Sequence, residues 1–136
     1  RVINVFVINN EGKLWIPRRA PRKRLYPNGL DMSVGGHVEA GEGYEATFRR
    51  ETQEEIRVDI DTIPWKDLGP LSPYVDGVNA FMHVYEITMN EAPRYNPDDF
   101  TEFFWLTPKE LITRIDAGEY AKSDLPILVK RFYSIA

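Results

Sequence analysis

Apolar residues run almost unbroken through "VINVFVI" (Val2 to Ile8), a β-branched stretch that predicts a buried strand. "NNEG" (Asn9 to Gly12) supplies turn residues, and "KLWIP" (Lys13 to Pro17) predicts the returning strand of a hairpin. The pattern then breaks: "RRAPRKRLYPNG" (Arg18 to Gly29), rich in proline and positive charge, predicts a loop. "LDMSV" (Leu30 to Val34) predicts a short strand ending at Gly35 and Gly36. Neither proline nor internal glycine interrupts Gly43 to Ile56, which predicts a helix.

A second β region follows at "DLGPLS" (Asp67 to Ser72), a turn at Asp76 and Gly77, and "VNAFMHVYEITM" (Val78 to Met89), where imperfect alternation leaves the register open. "EFFWL" (Glu102 to Leu106) predicts a strand. "TPKE" (Thr107 to Glu110) predicts a capping box with proline at the first helical position, opening a helix near Lys109 to Ala117. A last helix is expected over Leu125 to Ile135. Strands on both sides of a central helix, with more helix at the end, define a mixed α/β class without fixing the sheet order.

The central helix carries an anomaly. Within "RRETQEE" (Arg49 to Glu55), Glu51, Glu54 and Glu55 stand at i, i+3 and i+4, where like charges repel. With Tyr44 at zero on a wheel of about 100° per residue, Phe48, Glu51 and Glu55 fall within about 40° of it, and Glu54 near −80°. Two glutamates thus share a stripe with the helix's aromatic residues, whereas a solvated charged face lies opposite the apolar one. Inward carboxylates need a counter-charge, or their pKa values rise until they are neutral. Arg49 and Arg50 offer one; a hard divalent cation, which also brings phosphate as a ligand, offers a better one. A solvated helix stabilised by ion pairs is the alternative at this point.

Composition narrows the chemistry. The chain has 136 residues, the size of one domain, with 43% hydrophobic and 28% charged residues, as in an ordinary globular protein. It has no cysteine, which excludes disulfides, zinc-thiolate sites and thiol catalysis and fits a reducing, cytoplasmic setting. A net charge of −4 argues against broad nucleic-acid binding. No apolar run approaches the ~18 residues of a membrane span, and the amino end has no signal-peptide pattern. Because the first residue is Arg1, a few native residues are expected to precede it.

The stretch from Gly36, "GHVEAGEGYEATFRRETQEEIRV", resembles the Nudix box, G-x5-E-x7-R-E-U-x-E-E-x-G-U with U apolar. Gly36, Glu42, Arg50, Glu51, Glu54 and Glu55 match in register, as does apolar Val58. At background frequencies of about one in fifteen, six such matches arise by chance in roughly 1 in 10^7 windows. Thr52 departs from the pattern in place of an aliphatic residue, and Arg57 in place of the glycine that closes the helix.

The resemblance implies a single Nudix domain over 1–136, an α/β/α sandwich on a mixed sheet, and an enzyme that hydrolyses a diphosphate bond. It implies that Glu51, Glu54 and Glu55, with the Gly35 carbonyl, hold Mg2+ (Mn2+ being the alternative ion), that Arg50 orients the carboxylates, and that Glu42 supports them. Glu102 is a candidate for the late carboxylate some relatives use, or an ordinary edge-strand charge. Arg18, Arg19, Lys23 and Arg24 of the basic loop are candidate phosphate-binding residues, set against a solvated basic loop.

"RRAPRKRLYPNGLDMSVGGHVEAGE" is also similar to isopentenyl-diphosphate isomerase, a Nudix-fold enzyme that carries a catalytic cysteine where this chain has Gly35 and a metal-binding histidine where it has His37. Without cysteine that proton-transfer chemistry cannot run in its usual form, so the chain looks like the isomerase's hydrolase relatives. His37 is a site candidate or a loop histidine, and His83 is expected to be structural. An isomerase-like enzyme and a nucleotide or diphosphate sensor are the alternatives to a hydrolase. Tyr26, Tyr74, Phe81 and Trp105 are candidates for recognising a substrate whose identity stays open, as does a homodimer.

Overall fold

The computed structural model describes residues 1–133 of the chain. Strand β1 (Val2–Ile8) sits centrally because it is apolar on both faces: Ile3, Val5 and Val7 pack to one side and Phe6 to the other. It pairs in parallel with β5 (Met82–Thr88), which is flanked in turn by antiparallel β4 (Trp65–Leu71). Strand β2 (Leu14–Arg19) meets β1 only at Ile8 and Leu14, then swings away to pair with β6 (Phe100–Leu106). The sheet order is β4-β5-β1-β2-β6, with β3 (Val34–His37) antiparallel to the first half of β1.

Where β1 and β2 part, the buried hydroxyl of Ser33 joins them. It accepts from the Val7 N–H at 2.9 Å and donates to the Trp15 carbonyl at 2.7 Å. Helix α1 (Tyr44–Ile56) covers one face with Phe48 and Ile56 against Trp15, Val34 and Tyr85. Helices α2 (Pro108–Asp116) and α3 (Asp124–Phe132) cover the other, with Leu111, Leu125, Leu128 and Val129 against Phe6, Ile16 and Val84. The result is the expected α/β/α sandwich.

The differences from the sequence expectation have local causes. The strand expected at Leu30 to Val34 is displaced: Leu30 makes only isolated bridges to Arg18 and Ala121, and β3 starts at Val34. It then continues through Gly35 and Gly36, expected to end it, because pairing with Asn4 and Ile3 offsets glycine's weak strand preference. Strand β2 runs on through Arg18 and Arg19, residues assigned to the loop, because β6 pairs with them. Within Val78 to Met89 only Met82–Thr88 is strand. The last helix is described to Phe132, so its expected end at Ile135 lies outside the described residues.

The capping box at Thr107 forms as expected: the Thr107 hydroxyl accepts from the Glu110 N–H at 3.1 Å, and the Glu110 carboxylate accepts from the Thr107 N–H at 2.8 Å. Helix α1 ends at Arg57, which takes the left-handed conformation (φ 57°, ψ 37°) that a glycine would adopt more cheaply. Thr52 is fully buried, and its hydroxyl has no hydrogen-bond partner. An unsatisfied buried hydroxyl costs about 1–3 kcal/mol. Thr52→Val, which restores an aliphatic residue of the same shape, is therefore expected to raise the melting temperature without lowering turnover; a thermal melt beside an activity assay checks it.

Candidate active site

Helix α1 lies over β3, and the glycines of β3 let it approach. A Cβ at Gly36 would stand 2.6 Å from Glu51 Oε1 and closer still to its Cγ and Cδ, so only a residue without a side chain leaves Glu51 where it is. Gly36→Ala is expected to displace that carboxylate and lower kcat/KM about 10²-fold, since a misplacement of ~1 Å can cost that much. The melting temperature should change little, because Glu51 is the movable partner. One turn on, the Gly35 N–H donates to Glu55 Oε1 at 3.2 Å.

Arg50 organises the rest. Its guanidinium grips Glu42 with two bonds, Nε to Oε2 at 2.8 Å and Nη2 to Oε1 at 2.9 Å. Nη1 reaches Glu51 at 2.8 Å and Glu54 at 3.4 Å, and Nη2 donates to the His37 carbonyl at 3.2 Å. Glu42 also accepts from the Glu39 N–H and the Thr47 hydroxyl. The Arg50 fork, helped by the Glu39 N–H, holds the Glu42 carboxyl down at about 2.

The glutamates of α1 differ sharply. Glu54 is exposed, with 59% of its side chain accessible. Burial raises the pKa of Glu51, opposed by Arg50. Glu55 is the most perturbed: burial pushes it up to about 8, opposed only by the Gly35 N–H, and the charges of Asp31, Glu51 and Asp99 add to the rise. Among the described residues Glu55 has no cationic partner within 4 Å, although it faces a small cavity of about 50 Å³ lined by Arg19, Lys23 and Lys122. Arg19 is engaged with Asp31 at 2.8 Å and Lys23 with Asp99 at 2.6 Å.

The sequence candidates therefore divide. Gly35, Glu55, Arg19 and Lys23 share one cavity, and Glu42, Arg50, Glu51 and Glu54 form the adjoining network. Arg18 and Glu102 are not brought there. They pair with each other at 2.5 Å beside Phe104, on the sheet face covered by α2 and α3, because successive strand residues point to opposite faces. Arg24 is exposed, and His37 contributes its carbonyl while its residue is exposed.

His83 bonds Asp67 at 2.6 Å beside Tyr44 and Tyr85, as a structural residue would. Tyr74 and Phe81 are exposed, whereas Trp105 lies half-buried in β6 opposite Trp15. Sequence reasoning missed Asp31, Asp99 and Lys122. Asp31 and Asp99 each immediately precede or follow an apolar residue at a strand approach, and Lys122 lies far along the chain; only the fold joins them.

The cavity wall carries the carboxylates of Asp31, Glu55 and Asp99 beside three basic side chains, and Glu55, which has no cation on it, is the oxygen donor that suits a hard divalent ion. Among the described residues no three acidic or imidazole groups are gathered to hold an ion, and Glu51 and Glu54 are both bonded to Arg50.

The α/β/α sandwich thus sets glutamates of one helix against a glycine-rich strand and a small cavity lined by three acidic and three basic side chains. The NUDIX domain family matches residues 1–126, and the chain belongs to that family as an enzyme of the Nudix hydrolase kind. It is 53% identical over 134 residues to an uncharacterized Nudix hydrolase of a Nostoc species, covering 98% of this chain and 79% of the relative. The crystal structure of a Deinococcus radiodurans protein superposes with a TM-score of 0.96 at 51% identity, covering 98% of this chain and 82% of that one. The isopentenyl-diphosphate Delta-isomerase of Kocuria rhizophila is 26% identical over 121 residues, covering 86% of this chain and 67% of the relative. Nudix hydrolases act on small molecules and generally use divalent metal cations.

Proposed function

We propose that this chain is a Mg2+-dependent hydrolase that cleaves the diphosphate bond of a nucleoside-diphosphate-linked or other organic diphosphate. The observation that carries the reading is Glu55: a buried carboxylate with no cation on it, facing a cavity that also presents basic side chains. Glu51, Glu54, Glu55 and the Gly35 carbonyl would hold Mg2+, which when bound neutralises diphosphate oxygens and lowers the pKa of the attacking water. Arg50 positions Glu51 and Glu54 and keeps Glu42 charged beneath them. Arg19 and Lys23 bind phosphate oxygens, loosening from Asp31 and Asp99 as they do. Arg18 and Glu102 tie β2 to β6 and take no part.

We read residues 1–136 as one Nudix domain working in the cytoplasm on a small molecule, without nucleic acid or membrane, and compatible with a homodimer. Among the described residues no helix is long and apolar enough to cross a membrane. Gly35 stands where the isomerase needs its cysteine. The two departures from the box give the sensor alternative no support: Arg57 keeps the left-handed helix end, and Thr52 stays in the core.

The test is phosphate and pyrophosphate release from a panel of nucleoside and isoprenoid diphosphates, with Mg2+ and with EDTA. Metal-dependent release from a member of the panel is expected, and that member names the substrate class. Binding without release under every condition would favour the sensor.

A further inference from the structure

The cavity beside Glu55 holds three carboxylates and three cations in its wall. Two pairs satisfy each other, Arg19 with Asp31 and Lys23 with Asp99. The remainder is Glu55 and Lys122, which face the same space with no ion-pair partner within 4 Å among the described residues. A lysine left without an ion pair in the wall of a cavity marks a place where an anion fits.

Lys122 is held there by its backbone. The segment between α2 and α3 runs alongside Leu30: the Leu30 N–H donates to the Tyr120 carbonyl, and the Lys122 N–H donates to the Leu30 carbonyl, each at 2.9 Å. Ala121 between them bridges Leu30 in parallel and packs into the core beneath α2 and α3. Neighbours along an extended segment alternate in direction, so turning Ala121 into the core turns Lys122 outward to the cavity. A half-buried lysine anchored by its backbone, with Asp124 nearby but no carboxylate within 4 Å among the described residues, is available to an anion and gives up little backbone freedom on binding one.

We infer that Lys122 is a phosphate-binding residue of this site, taking an oxyanion of the substrate's diphosphate across the cavity from the Glu55 carboxylate. The inference rests on the hydrolase reading only for the class of ligand. It adds a residue some 65 positions beyond the box, from the link between α2 and α3, a segment with no other part in the site.

The test is calorimetric binding of inorganic pyrophosphate with Mg2+ to the full chain and to Lys122→Ala, Lys122→Gln, Lys122→Arg and, as a control on exposed charge, Lys130→Ala. Melting temperatures are taken in parallel, and Lys122→Gln keeps the aliphatic stem should Lys122→Ala unfold. Loss of a charged hydrogen bond predicts roughly tenfold or greater weakening in Lys122→Ala and Lys122→Gln. Lys122→Arg should stay within about threefold and Lys130→Ala unchanged. Equal affinity in Lys122→Gln and wild type, an equal loss in Lys130→Ala, or no pyrophosphate binding by the wild type would each overturn the inference. A wild type that binds pyrophosphate through Lys122 yet releases no product from any substrate would sink the hydrolase reading alone. A hydrolase whose pyrophosphate affinity ignores Lys122 would sink the inference alone.

Discussion

Glu55→Gln is expected to lower turnover by roughly 10²–10³-fold or more, the several kcal/mol of charge stabilisation a metal site supplies, while making the metal-free protein more stable. The two effects share one cause. Glutamine has the same shape and can still accept from the Gly35 N–H, so the change removes only the charge. That charge is what the cation needs and what the fold tolerates badly. Burial raises the Glu55 carboxyl from an ordinary 4.5 to about 8, so between these values the folded protein binds a proton that the unfolded chain has released.

Stability from this group is therefore fully present below about pH 4.5 and is lost as pH rises through about 8, a loss on the order of a few kcal/mol. Glu51, also raised by burial, acts in the same direction. Glu42 acts oppositely and outside the window: its contribution is present above about 4.5 and is lost as pH falls toward about 2. In EDTA, the wild-type melting temperature should fall relative to that of Glu55→Gln between pH 5 and 8. Added Mg2+ should raise the wild type alone, by mass action on the folded state. Parallel pH profiles for the two proteins would refute the assignment.

Arg50→Lys is expected to cost about 10²-fold in kcat/KM, the upper range for losing a residue that orients metal ligands. Lysine keeps the positive charge, so a purely electrostatic role would survive the change. The role here is geometric: one planar fork grips Glu42 twice while reaching Glu51, Glu54 and the His37 carbonyl. An ammonium cannot span that set, and with Glu42 slack the loop from β3 into α1 loses its tie. The melting temperature should fall as well. Wild-type kcat/KM in Arg50→Lys would show that the network only decorates the helix.

How much of this was legible beforehand depended on the range of the signal. Helix α1, its inward glutamates and the capping box at Thr107 are local, repeating at helical spacing or within four residues, and they were readable. The sequence pattern also placed Glu51 and Glu55 on the aromatic stripe, and the structure finds both partly buried beside Phe48. The path of β3 through Gly35 and Gly36 was hidden because its support comes from Asn4 and Ile3, some 30 residues earlier. The faces of Arg18 and Glu102 were hidden because β2 was expected to stop at Pro17; once β6 extends it, alternation from Leu14 and Ile16 turns Arg18 toward α2 and α3. Asp31, Asp99 and Lys122 carry no motif at all; they belong to the site only because β2, β6 and the segment before α3 meet there.

Everything proposed for the site depends on the glutamates of α1 holding a divalent cation through the Glu55 carboxylate. The most direct test of that binding is a Mn2+ titration followed by electron paramagnetic resonance, on the wild type and on Glu55→Gln, with Mg2+ as competitor. Saturable binding by the wild type is expected, displaced by Mg2+ and lost or weakened at least tenfold in the variant. Equal Mn2+ affinity in the two proteins would contradict that expectation.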